Sequence, residues 1–206
     1  MNIYVSATWG QKTIDWCKQN DVYYMQNTNL FIKNSNIRYA LDNGAFKKYR
    51  ENTDKTDFVQ FYETLGYILD CEMLPDFVAV PDIVGDGIKS FKFSLEQFDL
   101  LPKEFNYYFV IQDGMSTDLV KDIMYKVSGI FVGGTKQWKL RMMKTWIDFA
   151  HNHNKPCHIG RMSTFKDMDR AFACGADSID GSTLVRNQRL YEINLWRDYV
   201  KCQKRL

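Results

Sequence analysis

Short apolar runs alternate with amphipathic segments along most of the sequence, and this alternation restricts the possible folds more than any other feature. Eight runs are rich in β-branched and aromatic residues, and several are apolar on both faces, as buried parallel strands are. The predicted strands cover residues 3–7, 22–25, 37–41, 76–80, 107–111, 129–132, 156–159 and 177–179.

The segments between these runs repeat apolar residues at helical spacing, for example Phe61 and Leu65 within 55–71. Thr164 is the predicted N-cap of one helix, and Gly175 is the predicted stop at its other end. The predicted helices cover residues 55–71, 88–101, 117–127, 136–152, 164–174 and 188–203.

This order of strands and helices predicts an α/β protein built as a compact (β/α)8 barrel of the TIM type. The gap between the second and third predicted strands is too short for a helix, so we expect the barrel to be irregular. A doubly wound open sheet is the alternative. The length of 206 residues suits a single domain, predicted to span 1–206.

The cysteines predict free thiols in a reducing cytoplasm, because they are odd in number, scattered and without a C-x-x-C pair. His151 and His153 would face different directions on a helix, so we interpret them as polar residues at a helix end. We therefore expect no metal site and no cofactor.

Neither a signal peptide nor a membrane span is predicted, since no basic region precedes an apolar run at the N-terminus and no run is long enough to cross a bilayer. We expect a cytoplasmic protein without a membrane partner. The net charge of +2 is too small to indicate nucleic-acid binding by itself.

Polar residues and glycines follow successive predicted strands. In a parallel barrel the carboxyl ends of the strands meet at one rim, so these residues are expected to lie close together. They are Asp42, Asp82, Asp86, Gln112, Asp113, Gly133, Gly134, Arg161 and Asp180.

Each of these residues also has a structural explanation. Asp42 lies in a D-N-G turn, Asp82 has the position of a helix cap, and Arg161 is compatible with a plain surface position. Asp177 has the position of a structural carboxylate beneath the rim. The repetition at strand after strand nevertheless favours a functional site.

These residues resemble motifs of the tRNA-guanine transglycosylase superfamily, which exchanges guanine in a nucleic acid for a 7-deazaguanine. The segment GADSIDGSTLVRNQR is similar to G-x-D-x-F-D-C-x-x-P-T-R-x-x-R, and the spacing from Asp180 to Arg186 and Arg189 is kept. LDNGAF resembles D-S-G-G-[FY], VIQDG resembles V-Q-G-G, and VGGT resembles G-G-L. HIGRMSTFKDMDRAFACGAD is similar to the segment that begins L-M-G-V-G, so the resemblance runs in order over about residues 40 to 190.

The resemblance and the strand-end position both imply that Asp180 is the nucleophile that attacks the sugar carbon of a nucleoside. Asp42 is then the expected acid and base for the leaving and incoming bases. Asp82, Gln112 and the Gly134 backbone are expected to bind the edge of guanine.

Further candidates for contact with the base follow from the same motifs. Phe46 and Tyr49 are expected to form an aromatic platform, although core packing is an equally good explanation for Phe46. The remaining candidates for base binding are Asp86, Gly133, His158 and Arg161.

Basic residues near the predicted rim are candidates for phosphate contacts. A solvated helix face explains the cluster of Lys136, Lys139 and Arg141 equally well. A base inside a duplex cannot reach a barrel rim, so the expected substrate is flipped or single-stranded. The candidates are Arg186 and Arg189, and then Lys136, Lys139 and Arg141.

One departure from the family motifs favours DNA as the substrate and leaves tRNA as the alternative. The tRNA enzymes carry a C-x-C-x-x-C…H zinc subdomain after the barrel, whereas Cys202 is the only cysteine of the predicted final helix here. The compact sequence is more similar to the phage and bacterial branch that inserts 7-deazaguanines into DNA, and a phage-encoded protein would fit. A homodimer is compatible with the resemblance.

Two other functions fit the same residues. The first is a barrel that binds guanine or nucleic acid without turnover. The second is an unrelated barrel enzyme that grips a small phosphorylated substrate with Arg161 and Arg186.

Overall fold

Eight parallel strands form a closed barrel in chain order, as a computed structural model describes it for residues 1–6, 10–28, 31, 37–54 and 56–203. The strands are β1 (Asn2–Val5), β2 (Tyr23–Asn27), β3 (Tyr39–Asp42), β4 (Val78–Ala79), β5 (Tyr107–Ile111), β6 (Gly129–Val132), β7 (Cys157–Ile159) and β8 (Ser178–Gly181). All eight predicted strands are confirmed, with end points that differ by up to two residues.

The barrel closes where β8 pairs with β1, in the register that sets Tyr4 beside Asp180. This closure confirms the TIM-type barrel and excludes the open doubly wound sheet. The predicted absence of a helix between β2 and β3 concerns a segment whose residues 29, 30 and 32–36 lie outside the described part of the chain.

Helices connect the strands and cover the outside of the barrel. They are α1 (Gln11–Gln19), α2 (Ala45–Glu51), α3 (Val59–Asp70), α4 (Gly87–Phe98), α5 (Thr117–Val120), α6 (Lys136–Asn152), α7 (Phe165–Ala173), α8 (Thr183–Arg186) and α9 (Tyr191–Gln203). The sequence did not predict α1, α2 or α8. The predicted helix at 117–127 is shorter than expected, because a 3-10 turn at Lys121–Ile123 follows α5.

Capping residues fix where the helices near the rim begin. The Thr164 side chain accepts a hydrogen bond from the Asp167 backbone and the Asp167 side chain binds back, a capping box that confirms the predicted start of α7. Gly175 follows the helix with a φ of 91°, which confirms the predicted stop. His151 and His153 lie at the end of α6, as predicted.

Aromatic side chains fill the interior of the barrel. Phe77 and Tyr108 stack with ring centroids 4.0 Å apart, and Tyr4 packs against Phe77 at 5.7 Å. Tyr4, Met25 and Phe77 are all buried. Because side chains occupy the interior, the open space lies at the rim where the strands end.

The lower end of the barrel is held by structural polar contacts. Asp177 accepts a hydrogen bond of 2.8 Å from the Cys157 backbone and contacts His151, which confirms its predicted structural role. Among the residues described, no helix combines the length and the apolar character needed to cross a membrane.

Candidate active site

A cavity of about 470 Å³ opens at the carboxyl ends of the strands. Its position is the one where TIM-type barrels carry their active sites. Eight sequence-predicted residues line it together: Asp42, Phe46, Asp82, Gln112, Gly133, Gly134, Arg161 and Asp180.

Asp180 lies at the end of β8 with one carboxylate oxygen held and the other left open. Its Oδ1 accepts hydrogen bonds from the Arg161 backbone N–H at 3.0 Å and from Nε2 of His158 at 3.1 Å. Within the described residues Oδ2 makes no hydrogen bond, although the residue is only 5% exposed and lines the cavity. The fixed carboxylate therefore offers one oxygen to a ligand.

His158 lies beneath Asp180 inside the barrel, fully buried, and does not line the cavity. Burial lowers the pKa of His158, so the neutral ring donates from Nε2 to Asp180 and accepts at Nδ1 from the Ser178 hydroxyl, 2.8 Å away. The prediction that His158 binds the base is therefore wrong. It supports Asp180 from below, because its side chain points into the barrel rather than beyond the strand end.

Arg161 takes a left-handed backbone conformation, with a φ of 57°. This conformation, unfavourable for a residue with a Cβ, directs the Arg161 N–H at Asp180. The side chain extends over the cavity mouth, where its guanidinium lies 4.1 Å from the Phe46 ring centroid and donates to the Gly134 carbonyl. Arg161 thus joins the ends of β3, β6, β7 and β8.

Asp42 is the second carboxylate of the cavity. Its Oδ1 accepts a hydrogen bond of 2.7 Å from the Gly44 N–H. Burial raises the pKa of Asp42 to about 6, the charge of Asp180 acts in the same direction, and the Gly44 bond and Arg161 oppose it. Asp42 is therefore present in both protonation states near neutral pH and is suited to exchange protons with a ligand.

Asp82 is buried between two amide side chains. It accepts hydrogen bonds from Asn43 Nδ2 at 2.7 Å and from Gln112 Nε2 at 2.6 Å. Burial raises the pKa of Asp82 to about 7, and the two amide bonds limit the rise. The sequence analysis missed Asn43, because it interpreted the D-N-G segment as a turn, and a buried amide in that segment has no distinct sequence pattern.

The glycine pair after β6 brings backbone close to Gln112. A Cβ at Gly133 would lie 2.8 Å from Gln112 Nε2, and Gly134 has a φ of 72°. The Gly133 N–H donates to the Ile111 carbonyl, whereas the Gly134 N–H has no hydrogen bond within the described residues. Gly134 is therefore the member of the pair that can donate to a ligand.

Asp86 is the N-cap of α4 and does not line the cavity. It accepts a hydrogen bond from the Lys89 backbone at 3.1 Å and pairs with the Lys89 side chain at 3.0 Å. The prediction that Asp86 binds the base is therefore wrong, since capping uses its carboxylate.

The predicted phosphate contacts differ in exposure. Lys139 is fully buried and donates from Nζ to the Gly160 carbonyl, so the prediction of a surface phosphate contact there is wrong. Lys136 pairs with Asp167 at 3.0 Å. Arg189 pairs with Glu192. The side chains of Arg141 and Arg186 are exposed, and their contact with phosphate stays a prediction.

A basic and aromatic surface borders the cavity, and the sequence predicted its aromatic pair, Phe46 and Tyr49, but not its basic residues. Phe46 and Tyr49 are 40% and 45% exposed, and their rings stack at 6.3 Å. Lys47 and Arg50 are exposed on the same helix. We call Phe46, Lys47, Tyr49 and Arg50 the α2 surface. The sequence F-K-K-Y-R was its only indication, and α2 is too short for a periodic pattern to predict.

The fold and the cavity define a (β/α)8 barrel whose polar residues meet at the carboxyl end of the strands. Within the described residues, no three His, Cys, Asp or Glu side chains are grouped as metal ligands are. Comparisons of the sequence with protein-family models and with curated proteins find no match.

Proposed function

We propose that this protein is a glycosyltransferase that replaces guanine in DNA with a 7-deazaguanine. The observation that carries the proposal is the state of Asp180, whose Oδ1 is fixed by Arg161 and His158 while Oδ2 is open. It shares its cavity with a second carboxylate, Asp42, and with the Asp82–Gln112 pair. A site that only bound a base would not need an open carboxylate fixed in this way.

The proposed reaction exchanges one N-glycosidic bond for another through an ester. Asp180 Oδ2 forms a bond to C1′ as the C1′–N9 bond breaks, and the bonding electrons leave on N9 of guanine, which takes a proton from Asp42. The incoming base then gives its N9 proton to Asp42, and its N9 displaces Asp180 from C1′. Asp42 is returned to its initial state, so protons and electrons balance.

The polar floor of the cavity matches the edge of guanine. Guanine offers N1–H and N2–H donors, which the buried Asp82 carboxylate can accept, and an O6 acceptor, which the Gly134 N–H can serve. Gln112 donates to Asp82 at 2.6 Å and lines the same cavity. Adenine would leave these buried groups unpaired, so strong discrimination against adenine is expected.

The α2 surface supports a polymeric substrate. Exposed aromatic rings stack on unpaired bases, and nearby Lys and Arg side chains neutralise phosphates. Tyr49 and Lys47 lie on the helix that starts next to Asp42, so a strand on this surface would have a base at the cavity. The bound nucleotide has to be flipped or single-stranded to reach the rim.

A base-exchange assay tests the proposal. The protein is incubated with radiolabelled guanine and either single-stranded DNA, duplex DNA or tRNA, and label in the polymer is counted. We expect label in DNA with the wild type, none with Asp180→Ala or Asp42→Ala, and wild-type levels with the matched carboxylate control Asp86→Ala. A denaturing gel of the reaction should retain a protein–DNA adduct that depends on Asp180.

Three other results would overturn the proposal in distinct ways. Label in tRNA alone would assign a different polymer. Guanine binding without label in any polymer would indicate a binding protein. Equal incorporation of label by wild type and Asp180→Ala would show that Asp180 is not the nucleophile.

A further inference from the structure

A buried lysine that the proposed reaction does not use lies on the far side of the turn that holds Asp180. Lys139 on α6 is fully buried, and its Nζ donates to the carbonyl oxygen of Gly160. A buried ammonium is costly unless a partner compensates it, so its presence beside the site calls for a role.

The carbonyl of Gly160 and the N–H of Arg161 belong to one planar peptide group. Lys139 donates to the oxygen of this group, and Asp180 accepts from its N–H, with the Arg161 nitrogen 3.0 Å from Oδ1. One peptide therefore connects a buried ammonium to a buried carboxylate, with its dipole aligned between them. We propose that Lys139 is a positioning residue that fixes the Gly160–Arg161 peptide in the orientation that holds Asp180 for reaction.

The opposite orientation of this peptide would place an oxygen against the carboxylate. It would remove the N–H donor from Asp180 Oδ1 and leave Lys139 buried without its acceptor. Gly160 and the left-handed Arg161 form the kind of turn in which such a flip is sterically feasible. Lys139 therefore favours one orientation of the Gly160–Arg161 peptide, which the sequence of the turn does not enforce by itself.

The surroundings of Lys139 compensate its charge only in part. Burial lowers the pKa of Lys139 to about 7, Arg161 and Lys136 act in the same direction, and the carboxylates of Asp180 and Asp167 oppose the fall. The Asp180 carboxylate thus stabilises the charged form of Lys139. In turn, Lys139 stabilises Asp180 through the Gly160–Arg161 peptide.

The catalytic part of this inference rests on the proposed function, whereas the peptide connection does not. The first experiment therefore needs no activity. Unfolding in urea is measured for wild type, Lys139→Met, Asp180→Asn and the double variant. We expect Lys139→Met to shift the midpoint by at most half as much in the Asp180→Asn background as in the wild type, because the two groups act through one peptide. Equal shifts in both backgrounds would overturn the proposal.

A second measurement reports the peptide itself. Arg161 is an exposed turn residue, yet its amide hydrogen should be protected from exchange in the wild type. In Lys139→Met it should exchange at least about tenfold faster, while the control Lys144→Met, which removes an exposed lysine of the same helix, should leave it unchanged. An unprotected Arg161 amide in the wild type would contradict the connection between Lys139 and Asp180 through this peptide. This test needs only the wild type, so it remains decisive if Lys139→Met does not fold.

The third measurement separates positioning from stability. In the base-exchange assay, Lys139→Met should lower kcat about tenfold or more and leave the KM for guanine within about threefold, since the loss falls on the reacting carboxylate. A folded Lys139→Met with wild-type kcat would overturn the catalytic role. A wild type that exchanges no base would refute the proposed function, and the first two measurements would still decide on the peptide.

Discussion

Gln112 donates a hydrogen bond of 2.6 Å from Nε2 to Oδ2 of Asp82, and both side chains are buried at the floor of the cavity. Gln112 also accepts a hydrogen bond from the Gly85 N–H, which fixes which end of the amide faces the acid. This pair joins β5 to the end of β4 and makes the electrostatics of the floor depend on pH.

Asp82 should make the protein less stable as the pH rises from about 4 to about 7. Its pKa in the folded state is about 7, against an ordinary value of 3.8, so the folded state binds more protons in this interval and the free energy of unfolding falls. Above pH 7 the contribution is constant. Asp82→Asn should flatten this slope, by on the order of a few kcal/mol over the interval, in urea unfolding at several pH values.

Asp86→Asn is the matched control for this slope. Its carboxylate has a lowered pKa because it accepts hydrogen bonds from the Lys89 backbone and side chain, so its stabilisation is present above the unfolded pKa and is lost as the pH falls. The variant should leave the slope between pH 5 and 7 unchanged. An identical slope in wild type and Asp82→Asn would contradict the assignment.

Asp42 should set the pH dependence of base exchange. In the proposed reaction, a pKa of about 6 would let Asp42 donate to the leaving base and accept from the incoming base near neutral pH. We expect kcat to change around pH 6 in the wild type, and Asp42→Asn to lose about 10²-fold or more in kcat together with this inflection. A wild-type profile that persists in Asp42→Asn would assign the inflection to another group.

The left-handed conformation of Arg161 should affect the free energy of unfolding. Arg161→Ala and Arg161→Gly both remove the guanidinium from Phe46, but glycine adopts a φ of 57° without the penalty of a Cβ. Arg161→Gly should therefore be more stable than Arg161→Ala by about 1 kcal/mol in urea unfolding. A more stable Arg161→Ala would mean that the turn changes conformation once the arginine is lost.

Gly160 should not tolerate a larger residue. A Cβ at this position would lie 2.6 Å from the Phe131 ring, so Gly160→Ala is expected to cost about 1–3 kcal/mol of unfolding free energy. Gly66→Ala is the control, because nothing lies within 4 Å of its Cβ position and it is inside α3. That variant should be stabilised by about 1 kcal/mol. Equal effects of the two substitutions would contradict the close packing at the rim.

The α2 surface should bind single-stranded DNA. Lys47→Ala should weaken binding and reduce the slope of log affinity against log salt by about 0.7, the value for one phosphate contact on a single strand. Tyr49→Ala should cost about 1–3 kcal/mol with little change in the salt slope, because stacking is not ionic. Lys201→Ala on α9, whose lysine pairs with Asp198, is the control. An equal loss in all three variants would indicate unspecific charge effects.

The sequence predicted the strands and most of the rim because both depend on local patterns. Runs such as 107–111 are apolar throughout, and the residue after each strand of a parallel barrel faces the same end. Asp42, Asp82, Gln112 and Asp180 could therefore be placed together without coordinates.

The positions that failed depend on tertiary packing. His158 and Lys139 are polar residues that are buried because each side chain points into the protein. Hydrophobic periodicity identifies buried apolar residues and does not reveal buried polar ones. Short helices such as α2 span too few residues to show a repeat. Asn43 likewise owes its role to neighbours from other strands.

The seam between β1 and β8 has a consequence for how the protein is made. Tyr4 and Asp180 become neighbours only when the eighth strand pairs with the first, so the edge of β1 stays unpaired on the ribosome through most of synthesis. Asp180 consequently reaches its place last, and the cavity that it lines is complete only once the barrel has closed.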